Sequence, residues 1–125
     1  MNLLLDTHIV LWWLSDSGKL SKKSRSIISD TNNFIFVSVA TGWEIAIKKS
    51  IGKLAAPDDF SKALQVNSFQ PIIINLEHAE LAGSLPHHHE DPFDRMIIAQ
   101  SKIENLTVLT HDKNFKLYNI EVIQN

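Results

Sequence analysis

Four short apolar runs, each separated from the next by helix-like sequence, constrain this chain more than any other feature. They are Asn2-Leu3-Leu4-Leu5, Phe34-Ile35-Phe36-Val37, Pro71 to Ile74 and Leu106-Thr107-Val108-Leu109. Each has the length and composition of a buried strand. Asp6-Thr7 reads as a helix start, with Ile9, Val10, Trp12, Trp13 and Leu14 after it. Residues 19–30 form a polar amphipathic helix. Ser38 or Thr41 caps a helix that carries Trp43, Ile45, Ile47 and Ile51 and stops near Gly52. Pro57-Asp58-Asp59 opens another helix, to about Asn67, and Leu76 to Ser84 is a further one. Asp91 to Asn105 is the strongest helix, with Phe93, Met96, Ile97, Ala99, Gln100 and Ile103 near helical spacing. A short helix at 112–117 and a last strand near 120–123 follow. Strands alternating with helices predict an α/β fold with a mostly parallel central sheet of four to five strands.

At 125 residues the chain suits one domain, 1–125, with a core that needs no staples. There is no cysteine, which excludes disulfides and thiolate metal sites and fits a cytoplasmic setting. The net charge of −2 is not that of a basic nucleic-acid-binding domain. It still allows a nucleic-acid enzyme, because bound cations supply positive charge locally. The amino-terminal stretch MNLLLDTHIVLWWL lacks a basic region and contains Asp6 and His8, so it is a poor signal peptide. No apolar run approaches membrane-spanning length, and no membrane association is expected.

Ligands of parallel α/β sheets bind beyond the carboxyl ends of the strands. That rule selects acids. Asp6 directly follows the first strand, and Asp112 lies three positions after Leu109. Glu44 lies within two helical turns of the second strand's end. Asp94 sits in the first turn of the helix that feeds the fourth strand, and reaches the same rim if that helix starts there. Each acid also has a plainer reading. Asp6 and Asp112 are helix-cap candidates, and Asp91 is a better one, with Pro92 as first helical residue. Glu44, inside Trp43-Glu44-Ile45-Ala46-Ile47, either reaches solvent beside Lys48 or is buried at a cost. Together the four acids shift the balance. Two unit charges about 4–5 Å apart repel by roughly 3–4 kcal/mol at an effective dielectric near 20. A stable cluster must raise some pKa values or hold cations, and carboxylates without cysteine suit Mg2+ or Mn2+.

The stretches LLLDTHIVLWWL at 3–14, SVATGWEIAIK at 38–48, LPHHHEDPFDRMIIAQ at 85–100 and LTVLTHDKNF at 106–115 resemble the PIN-domain ribonucleases, in particular VapC-like toxins of toxin–antitoxin modules. The resemblance covers nearly the whole chain. It implies a PIN-like three-layer fold and an acidic pocket of Asp6, Glu44, Asp94 and Asp112, with Asp91 as a cap or outer metal contact. It further implies Mg2+- or Mn2+-dependent cleavage of RNA by metal-activated water, a cognate antitoxin partner and a homodimer. Thr7 and Thr110 beside the matched acids bond either carboxylates or backbone.

His87-His88-His89 invites a zinc reading, but adjacent histidines on extended chain point to different sides, unlike an i, i+4 helical pair. They are expected to form a loop, with one of them touching RNA phosphate or the acids. His8 is expected in core or interface packing. Lys48, Lys49, Lys53, Arg95 and Lys113 are candidates for steering a phosphate backbone, although Arg95 is also placed to pair with Asp91 four residues earlier. Trp12 and Trp13 cannot share a helix face, so one of them is expected at a dimer or antitoxin surface. Two other functions compete. An aspartyl phosphatase would want a second Asp where His8 stands. A non-catalytic PIN-fold module binding RNA or antitoxin would have no need of all four acids.

Overall fold

The computed structural model describes all residues, 1–125. Its five strands are β1 (Asn2–Leu5), β2 (Phe34–Ser38), β3 (Gln70–Ile72), β4 (Thr107–Thr110) and β5 (Val122–Gln124). They form one sheet in the order β3-β2-β1-β4-β5, with every neighbouring pair parallel. The helices are α1 (Thr7–Leu14), α2 (Lys22–Ser29), α3 (Val39–Ser50), α4 (Phe60–Val66), α5 (Leu76–Ser84) and α6 (Pro92–Glu104). A 3-10 turn covers Phe115–Tyr118. No helix is long and apolar enough to cross a membrane.

The continuous apolar run of β1 is what a strand covered on both faces requires. Leu3 and Leu5 point into one core with Ile9 and Val10 of α1, Ile28 of α2 and Leu64 of α4. Leu4 points the other way, into a second core with Ala82 of α5 and Ile97, Ile98 and Ala99 of α6. All three leucines are fully buried, and each such burial contributes about 1.5–3 kcal/mol. The result is three layers. The chain runs from β1 outward to β2 and β3, then returns to add β4 on the other side of β1. The switch point therefore lies between β1 and β4, where Leu5 pairs with Leu109 and Asp6 N–H donates to the Leu109 carbonyl at 3.1 Å. Open α/β sheets bind ligands there.

Several expected boundaries move. The third strand is Gln70–Ile72 rather than 71–74: Ile73 is exposed, and its carbonyl accepts from Gln100 instead of a ladder partner. Pro71 is tolerated because β3 is an edge strand. The second helix starts at Lys22, since Ser21 caps it. Ser38 caps α3, leaving Thr41 buried inside the helix. The helix expected at 112–117 is the later 3-10 turn, and Asp112 does not cap it. Asp112 Oδ1 instead accepts from Asn114 N–H at 2.8 Å, closing a local turn that delays the helical stretch.

Candidate functional site

Asp6 ends β1 and does two things at once. Its Oδ1 accepts from Ile9 N–H at 2.9 Å, capping α1, while its Oδ2 accepts from the Thr110 hydroxyl at the end of β4. Cap and site residue are thus not alternatives. Thr7, in the first turn of α1, donates to Glu44 Oε1 at 2.8 Å. The Glu44 side chain points inward from α3 and is 4 % exposed, so it does not sit on the solvent face. Lys48, one turn later, donates to Oε2 at 2.9 Å and compensates the buried charge. That hydrogen bond raises the Lys48 pKa above its ordinary value.

Asp112 is held from two sides. Its Oδ2 bonds His89 Nε2 at 2.7 Å, and the other ring nitrogen of His89 meets the Tyr118 hydroxyl at 3.0 Å. Burial pushes the Asp112 carboxyl up, but the bonds from His89 and Asn114 outweigh it and hold its pKa below the usual value. Removing His89 leaves burial less opposed. His89→Ala is therefore expected to move the Asp112 pKa upward in a carboxyl NMR titration. Asp91 caps α6, accepting from Phe93 N–H at 2.8 Å and Asp94 N–H at 3.3 Å, with Pro92 opening the helix. The start of α6 faces the rim, and so Asp94 arrives there.

A cavity of about 170 Å³ is lined by Asp6, Glu44, Asp91, Asp94 and Asp112, together with Lys48 and His111. Asp94 is the one carboxylate among these five with no hydrogen-bond partner in the protein. Burial, then the charges of Asp91, Asp6 and Glu44, push its pKa up to about 7, against the opposing pull of His89. His111 Nδ1 lies 3.5 Å from Asp6 Oδ2, and that contact raises the His111 pKa. The donor set fits a hard divalent cation: it is dominated by carboxylate oxygens, one of them unengaged and short of positive charge. Ligand atoms of Asp6, His8 and His111 lie within 4.8 Å of one another, as do those of His89, Asp94 and Asp112.

The linkage of Asp94 to folding has a definite sign. Its folded pKa lies above the unfolded value of 3.8, so the stability it contributes is complete below that value and is lost as pH rises through about 7. Without divalent cation, Asp94→Asn is expected to melt above wild type by a margin that grows from about pH 4 to pH 7 and then levels. Saturating Mn2+ at pH 8 should reverse the order, because ligand binding stabilises the wild type. Thermal melts across that range check both.

The structure brings Asp6, Glu44, Asp94, Asp112 and Asp91 to one place. It sends other expected residues elsewhere. Arg95 neither pairs with Asp91 nor lies free at the surface. It is buried, and its guanidinium donates to the carbonyls of Ala82, Gly83, Leu85, Pro86 and His89. His8 is exposed rather than in the core, its ring 4.6 Å from that of His111. His87 and His88 are exposed, whereas His89 reaches the acids. Trp13 turns inward, donating to Asn67 Oδ1 at 2.9 Å, and Trp43 is 62 % exposed. His111 was passed over in the sequence; its place between Thr110 and Asp112, at the end of a strand, was the available signal.

Acids gathered from four separate segments at the switch point of a wholly parallel sheet define a class of protein, the α/β domains whose ligand site is an acid-lined crevice at the rim. The chain belongs to the PIN domain family, whose model matches residues 3–121. Solved structures share the fold. VapBC2 from Rickettsia felis, bound to a DNA fragment of its promoter, has a TM-score of 0.73 at 17% identity, covering 99% of this chain and 98% of that one. A toxin–antitoxin complex from Klebsiella pneumoniae gives 0.67 at 18% identity, covering 98% and 96%. VapBC-1 from nontypeable Haemophilus influenzae gives 0.63 at 17% identity, covering 99% and 98%. No curated protein matches the sequence.

Proposed function

We propose that this chain is a VapC-like toxin: a metal-dependent endoribonuclease held in check by a cognate antitoxin and assembled as a homodimer. The observation that carries the reading is the unpartnered carboxylate of Asp94 in one cavity with four further acids that are each held in place. Asp6 and Asp94 are the principal ligands for Mg2+ or Mn2+, with Glu44 and Asp112 completing the pocket directly or through water. The cation, when bound, supplies Lewis-acid charge at the scissile phosphate and makes water a stronger nucleophile.

The chain's own residues do the rest. Thr110 and the α1 amide fix both oxygens of Asp6. Thr7 and Lys48 orient Glu44, and His89 orients Asp112. Each oxygen that accepts one bond keeps a further lone pair for a ligand. Asp94 binds cation more weakly once protonated, so Mn2+ affinity should fall as pH drops below about 7. The antitoxin partner is supported by the complexes in which the similar folds occur. The test is incubation of the purified protein with RNA in Mg2+, Mn2+ or EDTA, with sequencing of the RNA ends, beside calorimetric titration with Mn2+. Cation-dependent ends and stoichiometric Mn2+ binding are expected. A non-catalytic PIN scaffold would give neither, and that result would overturn the reading.

A further inference from the structure

A second cleft, of about 510 Å³, opens beside the acidic cavity and is lined by His8, Leu11, Trp12, Lys48, Lys53 and Leu54 among others. Its volume lies within the roughly 300–1,000 Å³ usual for small-molecule sites. The two spaces share Thr7, His8, Glu44 and Lys48 in their linings, so they adjoin. The cleft differs from the cavity in chemistry. Its floor is aromatic and aliphatic. Trp12, half-buried, has its ring centre 5.0 Å from that of His111 and 5.9 Å from that of His8. Its rim carries two lysines, and the fold places the second. Gly52, at φ 71°, turns the chain at the end of α3, and Lys53 N–H bonds back to the Lys48 carbonyl at 2.9 Å. A backbone of this hand favours glycine. Leu11, Trp12, Lys53 and Leu54 have no part in holding the acids.

We infer that this cleft is a nucleobase subsite: it takes one unstacked base of the RNA strand whose phosphate sits at the acids, with Lys48 and Lys53 beside the adjoining phosphate. The inference rests on the RNA-cleavage reading for the direction of the strand. Three observations select a nucleotide as the occupant. The cleft adjoins the acidic cavity. Its rings offer the stacking surface on which proteins bind single-stranded bases. Its lining includes Lys48 and Lys53, cations of the kind that pair with a backbone phosphate.

The test uses a five-residue single-stranded RNA and a series in which one residue at a time is an abasic ribose. Binding is read by fluorescence anisotropy in Ca2+, and cleavage of the same RNAs in Mn2+. In the wild type, the abasic substitution at one position should weaken binding by about tenfold, within the range for loss of one base–aromatic contact. Trp12→Leu should weaken the intact RNA by a similar factor and lose nothing more on that abasic RNA. Uniform weakening across the series, or none at all, overturns the subsite; a cleft that takes a peptide of a protein partner gives the second result. Trp12 also packs on the core, so His8→Ala, at an exposed position, provides a second reading of the same positional signature. Lys53→Ala should instead weaken every RNA alike and reduce the slope of log Kd against log salt by about 0.7. Positional binding without cleavage would sink the nuclease reading and leave the subsite standing. Cleavage without positional binding would do the reverse.

Discussion

Asp94→Asn and Asp6→Asn are each expected to lower Mn2+-dependent RNA cleavage by about a thousandfold while leaving the domain folded. A bound cation provides several kcal/mol of charge stabilisation in phosphoryl chemistry, and each tenfold in rate is about 1.4 kcal/mol. Asparagine keeps the shape of aspartate and removes the charge that holds the ion. The two variants differ in stability. The Asp94 carboxylate has no hydrogen-bond partner to lose, and its charge is already disfavoured by burial. Asp6 has both oxygens engaged, one by Ile9 N–H and one by Thr110. Asparagine preserves the cap but must turn an N–H toward the Thr110 hydroxyl, which itself accepts from Asp112 N–H at 2.9 Å. Asp6→Asn should therefore cost about 1 kcal/mol of folding stability, and Asp94→Asn none at neutral pH. Gel assays with thermal melts separate activity from stability, and wild-type cleavage by both variants would remove the acids from the mechanism.

Arg95→Leu carries the other large effect, on folding. The guanidinium is 7 % exposed and bonds five backbone carbonyls between Ala82 and His89. Leucine fills much of the space but leaves those acceptors without their donors. A buried acceptor so stranded costs about 1–3 kcal/mol, and partial relaxation of an exposed loop limits the total to roughly 3–5 kcal/mol. That is a large share of the 5–15 kcal/mol typical of a domain. Arg95→Lys should recover little, since an ammonium has three donors on a point charge rather than a planar fork. Urea unfolding measures the shift in midpoint. The same variants should weaken the hold of His89 on Asp112, because the His89 carbonyl is one of the five gripped.

Much of this was legible in the sequence because it is local or follows from layer rules. Leu3 to Leu5, Phe34 to Val37 and Leu106 to Leu109 announced strands, and the strand-end rule then pointed to Asp6 and Asp112. Asp94 was expected at the rim if its helix starts there, and through the family resemblance; Asp91 and Pro92 do start α6 at a defined place. The errors came from contacts that return across the chain. For Arg95 the sequence offered phosphate contact or pairing with its helical neighbour Asp91, whereas it reaches over the stretch from α5 to α6. Which of three consecutive histidines meets the acids depends on how that stretch lies, and only His89 does. The helix expected from Asp112 failed because its side chain bonds the backbone in a tight turn. Of the two places expected for His8, core or interface, its exposure beside His111 at the first turn of α1 excludes the core.

The grip of Arg95 bears on how this molecule can change over generations. It holds the stretch from Ala82 to His89 by carbonyl oxygens, and every amino acid brings one. Apart from buried Ala82 and Leu85, and His89 with its ring on Asp112, the side chains of that stretch face water. Gly83, Ser84, Pro86, His87 and His88 can thus be exchanged by mutation without releasing the path of the chain. A lineage can retouch this face of the molecule while the carboxylates stay where they are.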